Sequence, residues 1–303
     1  MQLLSIGLME PIEGFEDRLK LEFDILKDEG VNISLKKSDK IGQCLYFYCH
    51  VDDASLFCEE HYYDMHKTFN QCVANALSDI IINYWEPKII KKIIKDNYFY
   101  FNRVEQKKIF EFTEEILNFN EIHGKKDLCY QIKRKSFVLH KILEYIGSSN
   151  TIILDGFVSF RLKDYVEQLE ETVDKAIDEY LMDREYREFI KLLRHFVDLQ
   201  ESKQQTVNVV FNNNEFYLFD ENSSIIEKDL GIDIAARENP DLNADDILVS
   251  TLINIAPKRI VLHGLLGKEK REMINALFNI FEGKVSFCSH CDICLKILPL
   301  KSK

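Results

Sequence analysis

The sequence predicts an α+β protein with a small N-terminal βαββ unit, a central helical bundle and a C-terminal α/β portion. Three observations carry this reading. Near both ends, short runs alternate apolar and polar residues with the two-residue period of half-buried strands. Between them, apolar residues recur every three or four positions over stretches long enough for helices. The longest such stretch starts after Asp155, with Leu162, Tyr165, Leu169, Val173, Ile177 and Leu181 on one side and carboxylates on the other. A helix so divided needs cover, and the zones flanking it in the chain can supply it.

Taken in order, residues 2–7 read as a strand. Phe15, Leu19, Phe23 and Leu26 mark a helix, with Gly30 at its exit, where only glycine takes positive φ cheaply. Val31, Ile33 and Leu35, then Leu45, Phe47 and Cys49, alternate as two strands across Ser38-Asp39-Lys40. This unit occupies residues 1–55. The helical region, 60–203, opens with a long face from Met65 to Tyr84, which Pro87 should end or kink. A short basic helix follows at Ile89, Ile90, Ile93 and Ile94, then helices over 104–119 and 128–146, with Thr151 to Leu154 a brief strand or connector.

Beyond Asp155 the pattern has two phases. The second runs through Tyr186, Phe189, Ile190, Leu193, Phe196 and Val197, with Asp183 as its expected N-cap. The C-terminal region, 204–303, begins with strands at Thr206–Phe211 and Glu215–Phe219 about an asparagine-rich turn. Asn243 is placed to cap a helix that Pro257 stops; Arg259–His263 is a strand, Glu269–Phe281 a helix and Lys284–Phe287 a last strand.

Composition bounds the function. The 303 residues are 46% hydrophobic and 30% charged, enough for a sizeable core under a soluble surface. A formal net charge of −12 argues against a general binder of phosphate backbones or anionic membranes. No export signal or uninterrupted apolar span is legible, so the eight cysteines are expected to be reduced and the protein cytoplasmic.

Two segments resemble a known family. The first is Gly156-Phe157-Val158-Ser159-Phe160-Arg161-Leu162-Lys163-Asp164-Tyr165, with Glu185-Tyr186-Arg187-Glu188-Phe189-Ile190 and Phe196-Val197-Asp198 downstream. The second is Asp246-Ile247-Leu248-Val249-Ser250-Thr251-Leu252-Ile253 leading to Ala256-Pro257-Lys258-Arg259-Ile260. Both resemble the YtxC-like family of sporulation proteins from endospore-forming bacteria. The resemblance covers most of the chain from about residue 60 onward. It implies a cytoplasmic protein linked to spore formation and carries over no activity, cofactor or site residue.

The residues themselves offer one sharp feature, the tail Cys288-Ser289-His290-Cys291-Asp292-Ile293-Cys294. Three thiols spaced by two residues can converge on one soft metal, zinc or an iron–sulfur cluster. The spacing matches the start of the bacterial ferredoxin run, but Leu298 stands where its fourth cysteine would be. A further ligand is therefore required: His290, His263 on the preceding strand, or a cysteine from the N-terminal half. The plainer alternative is a reduced, cysteine-bearing loop.

Other features are weaker. Cys44, Cys49, His50, Cys58, His61 and His66 fit no zinc spacing, and Cys49 reads as a strand residue. His263-Gly264-Leu265-Leu266-Gly267-Lys268-Glu269 is too short for a phosphate loop and reads as a tight strand-to-helix turn. Lys88, Lys91, Lys92 and Lys95, with Lys125, Lys126, Lys133, Arg134 and Lys135, are the basic concentrations. They allow peripheral membrane contact, although an ordinary solvated face is favoured. Arg161 and Lys163 could anchor an anion, but local ion pairing is the commoner use.

No catalytic residue is assigned, and the reading leans away from an enzyme. A cytoplasmic interaction or structural protein with a protein partner comes first, and a zinc or iron–sulfur metalloprotein second. Nucleic acid is disfavoured, and oligomeric state is left open.

Overall fold

A computed structural model describes residues 1–28, 30–51, 62–118, 128–212, 215–226, 244–264, 271–289, 291 and 294. It confirms an α+β protein, and the chain divides into two compact units, Met1–Leu181 and Met182–Lys303.

In the first unit β1 (Gln2–Leu8), α1 (Phe15–Asp28), β2 (Ile33–Lys37) and β3 (Leu45–Val51) form the expected βαββ arrangement. The brief strand after the helices, β4 (Thr151–Ile153), joins them, giving a sheet of order β2-β3-β1-β4. β1 runs antiparallel to β3 and parallel to β4. Phe15, Leu19, Phe23 and Leu26 are all buried, and Gly30 at φ +89° lets Val31 N–H return to Leu26 O. The turn thus uses the left-handed conformation that glycine takes without strain.

The helical part comprises α2 (Tyr62–Ile80), α3 (Glu86–Asn97), α4 (Arg103–Asn118), α5 (Leu128–Ile146), α6 (Leu154–Arg161) and α7 (Lys163–Leu199). Asn102 caps α4: its Oδ1 accepts from the N–H groups of Val104 and Glu105, and Glu105 Oε2 accepts from Asn102 N–H. This reciprocal box satisfies donors that a helix start leaves open. Leu169, Val173 and Ile177 on α7 are 1%, 0% and 7% exposed, so the charged rod does hide its apolar side.

Three expectations need correction. Pro87 does not end the helix before it. A π-helical turn, Ile81–Trp85, carries α2 into α3, with Glu86 N–H donating to Ile81 O five residues back. Proline lacks an N–H and crowds the carbonyl four residues earlier, and the wider turn accommodates both. Asp183 is no N-cap, because α7 is unbroken through it; mid-helix, its carboxylate pairs with Arg187 at 2.7 Å. The second phase is only partly buried: Ile190 and Val197 enter the core, whereas Tyr186, Phe189 and Phe196 are exposed. Ile190 and Val197 sit seven residues apart and form a stripe too narrow to take the flanking aromatics with it.

In the second unit the strands are β5 (Thr206–Asn212), β6 (Glu215–Phe219), β7 (Arg259–His263) and β8 (Val285–Phe287), in the order β6-β5-β7-β8. β5, β7 and β8 are parallel, and β6 pairs antiparallel with β5. Helices α8 (Ala244–Ile255) and α9 (Arg271–Ile280) supply the crossings. Val207, Val209, Ile260 and Leu262 join Leu248, Leu252, Leu277 and Phe281 in one core. Alternation then sends Asn208 and His263 to the opposite sheet face.

No described helix is long and apolar enough to cross a membrane.

Candidate metal centre

The parallel strands β7 and β8 end side by side, where ligands of open α/β sheets are usually held. His263 is the last residue of β7, and Gly264 at φ +107° turns the chain away. A Cβ on Gly264 would lie 2.9 Å from Phe211 O, so backbone conformation and close approach both demand glycine. Cys288 comes directly after β8, and its N–H donates to Leu262 O at 2.9 Å. That bond fixes the start of the cysteine run beside His263.

His263 Nδ1 lies 3.4 Å from Cys294 Sγ and 3.4 Å from Cys291 Sγ, and Cys294 Sγ lies 3.7 Å from Cys288 Sγ. All four donor atoms fall within 4.8 Å of one another, in the single such group among the described residues. His263 and Cys294 are buried, and Cys288 and Cys291 are half-buried. None of the three thiols is in a disulfide.

These separations test what the group can hold. A tetrahedral ion with metal–sulfur bonds of about 2.3 Å and a metal–nitrogen bond of about 2.0 Å needs S···S edges near 3.8 Å and S···N edges near 3.5 Å. Three of the six separations, at 3.4, 3.4 and 3.7 Å, match such edges, and all six are within 4.8 Å, so a small inward adjustment of the remaining pairs brings the four donors onto one tetrahedral ion.

His263 is oriented from behind. Its Nε2 lies 3.0 Å from Asn208 Oδ1, and Asn208 Nδ2 donates to Asp220 O at 3.0 Å. Because the amide nitrogen is committed to Asp220, Asn208 presents an acceptor to His263. The imidazole therefore carries its proton on Nε2 and turns the Nδ1 lone pair toward the thiols. Burial lowers the His263 pKa below its ordinary value, which also favours the neutral ring.

Of the sequence candidates, His263, Cys288, Cys291 and Cys294 converge. His290 lies outside the described residues, as do Cys58, His61 and the 265–270 part of the expected strand-to-helix turn. Elsewhere Cys49 is buried within β3, and His66 Nδ1 contacts Asn70. Lys88 reaches Glu10, Lys91 lies over Phe110, Lys135 pairs with Asp79 and Arg134 with Glu86. Four of the nine basic residues are thus engaged locally, and Lys125 and Lys126 lie outside the described residues. Arg161 stacks over Tyr145, and Lys163 is exposed. Asn208 was not a sequence candidate; its signal was an amide among the valines and phenylalanine of β5.

The profile of the YtxC-like family matches residues 71–286, a span that includes His263 and ends just before Cys288. The chain is similar to the "Uncharacterized protein YtxC" of Bacillus subtilis (strain 168), with 26% identity over 211 residues, 66% of this chain and 70% of the relative. No solved structure matches.

Proposed function

The chain belongs to the YtxC-like family, and from that premise we propose that it is a zinc protein whose C-terminal unit is closed by one ion on His263, Cys288, Cys291 and Cys294. The convergence of three thiols and an imidazole at single-ion spacing supports this reading. Four protein ligands fill a tetrahedral shell, which suits a structural ion better than a catalytic one. An iron–sulfur cluster is the alternative, but its ligands are shared among two or more irons, which spreads the full set wider than the 4.8 Å that encloses these four donors.

Anaerobic purification followed by elemental analysis and an absorption spectrum tests the proposal. One zinc per chain, lost in Cys291→Ser, is expected. Iron with sulfide and visible absorption would replace zinc by a cluster, and a metal-free protein from zinc-supplemented cells would end the proposal.

A second reading concerns what the whole protein does. We infer an interaction role, rather than catalysis, in the cytoplasm of a sporulating cell. The sporulation part rests on the family resemblance. The interaction part draws on Phe189, Leu192, Phe196 and Leu199, an exposed apolar series along α7. Deletion of the gene should lower heat-resistant spore counts; unchanged counts would remove the sporulation role.

A further inference from the structure

The last part of α7 carries two separate apolar faces. Ile190 and Val197 enter the core of the second unit. Arg194 donates to Asn279 O and pairs with Glu282, and Lys284 reaches Asp198 at 2.9 Å, so the flank beside that face is engaged within the same unit. Met182, Phe189, Leu192, Phe196 and Leu199 lie elsewhere. At about 100° per residue they centre roughly 120° round the helix from Ile190 and Val197. They are between 53% and 72% exposed, so this chain leaves most of each uncovered.

Their spacing is specific. Met182, Glu185, Phe189, Leu192, Phe196 and Leu199 alternate steps of three and four, the period of a coiled-coil seam, and Glu185 alone is polar. Such a seam is matched by another helix of the same period, and a second copy of this chain supplies one. At roughly 200 Å² for a fully open large side chain, the five apolar residues offer about 600 Å² per copy. With a polar rim this approaches the ~800 Å² that each partner contributes to a stable complex.

Charge sets the direction. In a parallel pair Glu185 would meet its own counterpart inside the seam, two like charges in contact. In an antiparallel pair Glu185 and Glu188 of each copy lie near the other copy's His195, whose imidazole donates an N–H in either protonation state.

We propose that α7 joins two copies of this chain, antiparallel about a two-fold axis between Phe189 and Leu192. This deepens the interaction role inferred above and rests on it. The interface is isologous, each Phe189 packing on the other copy's Leu192.

Sedimentation equilibrium of the full chain in reducing buffer should give twice the chain mass at micromolar concentration. Phe189→Glu, at an exposed helix position, should leave the fold intact and weaken association by about 100-fold or more. Glu188→Lys alone should weaken it by about threefold, and adding His195→Glu should bring it back toward the wild-type value. A monomeric wild-type protein, a dimer unaffected by folded Phe189→Glu, or no recovery in the double variant would overturn the proposal. If the wild type is monomeric and Phe189→Glu still lowers spore counts, the dimer falls, the interaction role stands and the face belongs to another protein.

Discussion

Asn208 and His263 face each other diagonally across the parallel β5–β7 pair, amide oxygen to imidazole Nε2 at 3.0 Å. That contact decides which ring nitrogen meets the three thiols, so it should be felt in metal affinity before it is felt in folding. Asn208→Ala is expected to weaken zinc binding by about 10- to 100-fold. Competition with a chromogenic chelator measures this directly. Asn208→Asp, which keeps an acceptor, should retain most of the affinity. Equal affinities in all three proteins would mean that the ring is oriented by something else.

Gly264 is the point at which the chain leaves the histidine strand. Gly264→Ala combines a left-handed backbone with a Cβ only 2.9 Å from Phe211 O. It should lose about 2 kcal/mol or more in urea unfolding. Zinc affinity should fall with it, because His263 is the adjacent residue. A neutral substitution would show that the turn can relax freely.

Glu86 carries a pH signature. Burial raises its pKa, against the opposing pull of Arg134 and the Tyr165 hydroxyl. From the unfolded value of about 4.3 up to the raised folded value, the native state holds more protons than the unfolded chain. Its contribution is therefore complete below about 4.3 and is lost as pH rises through the folded value. Glu86→Gln cannot titrate, so its stability should decline less steeply across mildly acidic pH. Urea midpoints at several pH values give the comparison, and identical slopes would place the titration elsewhere.

Cys49 should be chemically silent. It is fully buried in β3, and burial pushes its thiol up to about 12. Iodoacetamide at neutral pH should leave it unmodified in the native protein and label it in urea, as read by peptide mass mapping. Zinc should protect the tail thiols in the same experiment, and chelation should expose them. Native labelling of Cys49 would reveal opening of the sheet.

Much of this architecture was legible because burial imposes a period. The strand at 259–263 and the helix face at Leu169, Val173 and Ile177 both followed from spacing alone. The tail was legible because thiols three residues apart carry their chemistry in the spacing, and His263 stood out on the preceding strand. Asn208 was hidden because a hydrogen bond between strands 55 residues apart in the chain leaves no local pattern. The Glu86–Tyr165 pair, 79 residues apart, was hidden for the same reason. Pro87 announced an irregularity but not its form, since a break, a kink and a wide turn all answer the same missing N–H.

That wide turn has a consequence for chain length. At Ile81–Trp85 the rod carries one residue more than its geometry requires. A sequence shortened by one there would leave Ile80 and Ile90, both buried, aligned as they are now. The same deletion elsewhere in α2 would swing everything beyond it by about 100°. Length is thus forgiving at one place in this helix and strict everywhere else, although Pro87 would then have to be replaced by a residue able to donate.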